Sequence, residues 1–242
     1  MARTLFVHVG FHKTGTTSIQ VFLRRNAELL AELGVLVPTA GTVFLKSGHH
    51  NIAWQLSGDA CYRPDVSGLG DLEAELAASA LPRAVISSED FTNLADAPEA
   101  RARLEAAAAR AGYAVRYILF HRAIFDYVPS LYLVIRKLGY TSGYLRYLSQ
   151  IRRTGRYRSA DGHVFYFRVE DFADAFAGAD LHIVSYDDVK HDAIGPFLKL
   201  IGAGDLQQPV TDETDYNYNR TPALKLAFYR LVGKIVLAGA RV

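Results

Sequence analysis

The stretch His8-Val9-Gly10-Phe11-His12-Lys13-Thr14-Gly15-Thr16-Thr17-Ser18 narrows what this chain can fold into more than any other. The apolar run Leu5–Val9 reads as a buried strand. Two glycines then bracket a polar loop, and Ser18-Ile19-Gln20 opens a segment of helical period. Strand, glycine loop and helix start make an anion site: the first N–H groups of the helix converge on one point, and the helix dipole favours negative charge there. The spacing Gly10-x-x-x-x-Gly15 matches the opening of the nucleotide P-loop, G-x-x-x-x-G-K-[ST]. The departure from it is informative. Thr16 stands where a P-loop needs its lysine, and the lysine has moved to Lys13, so it meets an anion from the loop and not from the helix.

After the loop, Ile19, Phe22, Leu23, Leu29, Leu30 and Leu33 fall on one helical face, Gly34 is a natural C-cap, and Val35–Val37 reads as a second strand ended by Pro38. A β-α-β start implies a right-handed crossover and a parallel sheet. Further strands are expected at 83–89, 113–120 and 180–186. Helices are expected at 69–80, 98–111, 123–138, 168–176, 193–201 and 222–237. Pro129 must kink its helix or mark the first turn. Tyr140–Arg158 interleaves tyrosine with arginine and reads as a solvated helix bordering an acceptor pocket, and residues 203–221 as a polar loop. With no internal repeat and no long linker, residues 1–242 read as one α/β domain of three layers, α/β/α, around a central parallel sheet.

Charge is nearly balanced, 27 basic residues against 25 acidic, which does not signal a broad basic face for nucleic acid. Cys61 is the only cysteine, so neither a disulfide nor a cysteine-based zinc site forms within the chain. No targeting segment and no membrane span is legible, which points to a cytoplasmic protein. His49 and His50 invite a metal reading, but sequence neighbours on a helix point apart and no further ligand cluster stands nearby. They read better as part of a substrate-facing loop.

The run from His8 to Ser18 resembles the 5′-phosphosulfate loop of sulfotransferases that use 3′-phosphoadenosine 5′-phosphosulfate (PAPS), and is most similar to small bacterial members. The resemblance extends to two further segments. His121-Arg122-Ala-Ile-Phe-Asp-Tyr-Val-Pro-Ser130-Leu-Tyr132 is similar to the family's 3′-phosphate motif, an arginine at a strand end with a serine eight residues on. Tyr186-Asp-Asp-Val-Lys190 looks like the family's strand end whose tyrosine lies against the adenine, although an ordinary strand-end tyrosine fits Tyr186 equally well. The resemblance implies a P-loop-like sulfotransferase fold, PAPS as donor, 3′-phosphoadenosine 5′-phosphate as product and no metal. It implies cofactor contacts from His12, Lys13, Thr14, Gly15, Thr16, Thr17, Ser18, Arg122, Ser130 and Tyr186. Arg220 lies where the family closes a basic loop over the nucleotide, but the Arg-Lys-Gly sequence of that loop is missing.

Sulfuryl transfer depends on positioning and electrostatics, much as phosphoryl transfer does. Lys13 is placed to stabilise charge on the leaving oxygen. Glu89, at the end of the third strand, is the candidate base for the acceptor's hydroxyl or amine, with a turn-capping role as the alternative. His49 or His50 is the second choice of base, and His49, His50 and Tyr140 are candidate acceptor contacts. The acceptor is a small molecule, a carbohydrate or a lipid. Two rival readings stand: a P-loop kinase using ATP and magnesium, disfavoured by Thr16, and a nucleotide-binding module without turnover.

Overall fold

The computed structural model describes residues 3–43, 47–139, 143–159, 162–206 and 223–238, with side chains of the last helix described from Leu226 onward. Its frame is a parallel sheet. Strands β1 (Arg3–His8), β2 (Val35–Leu36), β3 (Arg83–Ser87) and β4 (Tyr113–His121) all run the same way. Helices α1 (Thr16–Arg25) and α2 (Ala27–Glu32) follow β1, and α3 (His50–Ser57) and α4 (Leu69–Ala78) follow β2. A 3₁₀ helix (Glu89–Asp96) and α5 (Pro98–Arg110) join β3 to β4. Then come α6 (Ile124–Lys137), α7 (Tyr144–Thr154), a small hairpin of β5 (Arg156–Arg158) and β6 (Val164–Tyr166), and α8 (Val169–Ala175). The chain returns to the sheet with β7 (Leu181–Ser185) and continues through α9 (Tyr186–Val189), α10 (Ile194–Leu200) and α11 (Ala223–Leu237). The strand order is β2-β3-β1-β4-β7, so β1 is central.

Strand alternation divides the core into two layers, because successive side chains point to opposite faces. Leu5, Val7 and Val9 of the first strand join Ala84, Ile86, Tyr117 and Leu119 on one face, covered by α3, α4, α5 and α6. Phe6, Val85, Ile118 and Phe120 face the other way, onto Ile19, Phe22 and Leu23 of α1 and Phe197 and Leu198 of α10. The expected three-layer α/β/α architecture around a parallel sheet is therefore the observed one.

Two expectations need correction, and one alternative is decided. The single helix through Leu33 is two, broken at Asn26, whose side-chain amide and backbone N–H both donate to the Phe22 carbonyl. An asparagine that bonds the neighbouring backbone competes with helix continuation. Of the two places allowed for Pro129, the structure takes the interior of α6, beyond the first turn. The segment through Arg158 is no solvated helix: after α7 it turns at Gly155, in the left-handed conformation, into the hairpin, and Tyr144, Tyr147 and Tyr157 are buried. Strands of three residues leave no readable period. The tyrosines face the core and the arginines face water, which is why the composition alone misled.

Candidate functional site

All four long strands of the sheet end on one side, where open parallel sheets gather ligand-binding loops. The loop after β1 is held to the fourth strand beyond its last residue: Val9 N donates to Ile118 O and Phe11 N to Phe120 O, both at 2.8 Å. The Thr14 hydroxyl then closes the turn by donating to Phe11 O at 2.5 Å. Gly10 is required by close approach, since a Cβ there would come within 2.5 Å of Thr16 Oγ1 and 3.1 Å of His8 Nε2. Gly15 has φ +78° and caps α1 without any side-chain hydrogen bond, leaving the helix start to whatever sits above it.

Lys13 is the only non-glycine with positive φ among the described residues, at +70°. For a residue with a long side chain this conformation costs about 1–2 kcal/mol. Strain of that kind persists where surrounding structure over-determines it, commonly at functional sites. Here the fixing contact is Arg122, whose Nη1 donates to the Lys13 carbonyl at 3.4 Å. Burial first, and then the charges of Arg122 and Lys137, pull the Lys13 amine below its ordinary range. Three cations thus crowd one corner of the loop. Arg122 Nε is buried with no hydrogen-bond partner among the described residues. The Tyr186 ring completes the corner: its Cε2 would lie 3.1 Å from a Cβ on Gly15, and the Arg122 guanidinium sits 5.8 Å from its centroid. Ser130 lies two turns into α6 and is 3 % exposed.

A second cluster stands on the other side of α1. Ser88 caps the 3₁₀ helix by accepting from Asp90 N, which places Glu89 and Asp90 in its first turn. Glu89 Oε2 accepts from Gln20 Nε2 at 3.0 Å, so the carboxylate is tied to the helix whose start forms the loop. His50 Nδ1 meets Asp90 Oδ2 at 2.8 Å and Ser88 Oγ at 2.9 Å, and its Nε2 lies 4.0 Å from Glu89 Oε2. Burial works to lower the His50 pKa, but the Asp90 hydrogen bond and the charges of Glu89 and Asp90 outweigh it and leave it raised. Asp90 moves the opposite way. Its burial favours the neutral acid, yet the His50 hydrogen bond and charge hold the carboxyl below its usual range.

The two adjacent histidines have separate surroundings. His49 is 1 % exposed, and both ring nitrogens engage backbone: Nδ1 accepts from Ser87 N at 3.1 Å and Nε2 donates to Pro38 O at 3.0 Å. Burial pushes its pKa down to about 4. Of the pair, only His50 faces Glu89. His12 packs its ring 5.3 Å from Phe165 of the hairpin and adds to the positive field on Asp90. Tyr140 and Arg220 lie outside the described residues. The structure therefore brings together the loop, Arg122 and Tyr186 at one corner and Glu89 with His50 at another. Sequence reading passed over Gln20, Asp90, Lys137 and His8. Of these, Gln20 was signalled by its place one turn beyond Thr16 on the loop helix and His8 by opening the loop motif, whereas Asp90 and Lys137 gave no signal.

Among the described residues no group of three potential metal ligands occurs, and no helix is long and apolar enough to cross a membrane. No protein-family profile and no curated protein matches the chain. Solved structures do. The fold is similar to the crystal structure of a sulfotransferase from Alicyclobacillus acidocaldarius, at TM-score 0.50 and 16 % identity, over 98 % of this chain and 95 % of that one. A mouse sulfotransferase, SULT7A1 complexed with PAP, aligns at TM-score 0.40 and 14 % identity, over 96 % of this chain and 64 % of its own. At such identities the likeness concerns the fold alone.

Proposed function

We propose that this chain, as a single domain over residues 1–242, is a sulfotransferase that takes the sulfuryl group from PAPS and passes it to a hydroxyl or amine. The observation that carries the reading is the cationic corner: Lys13 held left-handed by Arg122, Arg122 with a buried unpartnered Nε, and Tyr186 against Gly15, all above an uncapped helix start. PAPS has two separated anionic groups, and these residues fit both. The amides of the loop and the hydroxyls of Thr16 and Thr17 would hold the 5′-phosphosulfate, with His12, Thr14 and Ser18 contributing to the rim. Arg122 and Ser130 would take the 3′-phosphate, and Tyr186 the base. When bound, PAPS supplies an activated sulfuryl group with a good leaving group.

This chain's own residues would do the rest. Lys13, a donor already destabilised as a cation by burial and by the charges of Arg122 and Lys137, would stabilise the negative charge that grows on the leaving phosphate oxygen. Glu89 would take the proton from the attacking acceptor at Oε2 or Oε1, with Gln20 orienting the carboxylate by its hydrogen bond. His50, tied to Asp90, would stand beside Glu89 and help fix the position of its carboxylate. His49 supports the site from beneath through Ser87 N. The acceptor is a small molecule, a carbohydrate or a lipid headgroup, and the enzyme would act in the cytoplasm.

Calorimetric titration with 3′-phosphoadenosine 5′-phosphate, beside AMP and beside ATP with magnesium, tests this. Binding that requires the 3′-phosphate and no metal is expected. Preference for ATP with magnesium would hand the loop to a kinase and sink the proposal.

A further inference from the structure

The near balance of 27 basic and 25 acidic residues conceals a segregation. From Tyr127 to Ala160, and again from Ala223 to Val242, the sequence has eleven Lys or Arg and not one Asp or Glu. The remainder of the chain carries the other 16 basic residues against all 25 acidic ones. The described helices of the two stretches pack together, and Arg230 of α11 pairs with Asp126 near the start of α6 at 2.6 Å. Helices α6, α7 and α11 meet in a ring cluster: Tyr132–Tyr144 at 4.6 Å, Tyr144–Tyr229 at 4.6 Å and Tyr132–Tyr229 at 5.2 Å between centroids. The Tyr144 hydroxyl donates to Tyr229 O at 2.7 Å, and Arg136 Nη1 donates to the Tyr229 hydroxyl at 3.0 Å.

The outer surface of that region is apolar as well as basic. Seven large hydrophobic side chains are exposed among the described residues, and all but Ile183 belong to these helices or their ends. Phe228, Leu231 and Ile235 recur at helical spacing on α11, exposed by 63 %, 59 % and 68 %, while Leu145 of α7 and Leu138 after α6 are exposed by 65 % and 57 %. On its inner side α11 packs Leu226, Tyr229, Val232 and Val236 against the core. A helix apolar on both sides is normally covered on both. Arg146, Arg152 and Arg153 of α7 are exposed beside Leu145 in the same helix, and Lys234 of α11 is exposed between Leu231 and Ile235.

A partner for this face must be anionic and must also accept aliphatic and aromatic side chains. A polyanion in water satisfies the charge and leaves the apolar side chains wet. An uncharged protein surface satisfies only the apolar part. The boundary layer of a bilayer that contains anionic lipid satisfies both, as for interfacial amphipathic helices. We infer that the α7–α11 face docks peripherally on anionic membranes. The acidic balance of the remaining chain orients the molecule, since it repels the same surface. This inference is independent of the proposed reaction.

Co-sedimentation of the full chain with phosphatidylcholine vesicles, with and without phosphatidylglycerol, tests it without any assay of turnover. Binding is expected only with phosphatidylglycerol. The exposed triple variant Arg146→Gln, Arg152→Gln, Arg153→Gln should bind on the order of 100-fold more weakly. The variant Phe228→Ser, Leu231→Ser, Ile235→Ser should lose retention at high salt, with far-ultraviolet circular dichroism confirming that both variants fold. Three outcomes would overturn the inference: no binding to either vesicle, binding to heparin or DNA that the serine variant leaves intact in the absence of vesicle binding, or a dimer abolished by the serine variant, which would assign the face to a second copy.

Discussion

On one side of the α1 start, burial and then the charges of Arg122 and Lys137 disfavour the Lys13 cation. On the other side, His50 lies between two carboxylates that sustain its charge. The two clusters border the same helix and are linked to it, one through the loop and one through Gln20. Their chemistry differs because the first is short of negative charge and the second supplies its own. A corner short of negative charge is built to receive an anion. The second corner already pairs its imidazole with carboxylates of the chain.

Substitutions that remove one cluster and spare the other test that division. Lys13→Ala should have the largest effect, a fall in turnover of about 10³-fold with a smaller loss of cofactor affinity, read by steady-state kinetics beside calorimetry. Retained turnover would show that the cationic corner only binds. Glu89→Gln should slow transfer about 10²-fold and leave affinity for 3′-phosphoadenosine 5′-phosphate unchanged. If that variant is fully active, His50 becomes the base to test through His50→Asn. Arg122→Ala should weaken 3′-phosphoadenosine 5′-phosphate by about 30-fold and AMP hardly at all. An equal loss for both ligands would mean that Arg122 supports the loop without reading the 3′-phosphate.

A further test concerns stability and separates the buried His8 and His49, whose pKa values are lowered, from His50, whose pKa is raised. His8, fully buried with Nδ1 2.8 Å from Ser87 Oγ, has its pKa pushed by burial to about 3, and His49 to about 4. Both lie below the ordinary 6.5, so the unfolded chain binds more protons than the folded one once pH falls through that value. Stability should therefore drop as pH is lowered from 6.5 toward 4, by on the order of 1 kcal/mol per pH unit for each histidine. His50, with a raised pKa, contributes fully below 6.5 and loses its contribution only as pH rises through its folded value, so it adds no slope in this window. Urea denaturation at several pH values measures the slope, and His8→Phe should reduce it. An unchanged slope would remove His8 from the account.

The sequence by itself determined the loop, the parallel sheet and the order of the elements along it. Those features depend on short-range facts: two glycines five apart, an apolar run before them, helical period after them, and apolar runs ending abruptly in polar residues. It also carried Lys13, Arg122, Tyr186 and Glu89 to the same sheet edge, because the carboxyl ends of parallel strands share one side. What the tertiary structure decided was which neighbours meet. His49 and His50 are adjacent in sequence, and only the packing of α3 turns one toward backbone and the other toward Asp90 and Glu89. The left-handed Lys13, the buried Arg122 Nε, the Gln20–Glu89 bond and the meeting of α7 with α11 all depend on contacts between residues far apart in the chain. Local pattern fixes where a chain extends or coils. Burial, charge and hydrogen-bond partners are properties of the assembled surface, and they exist only once distant segments have come together.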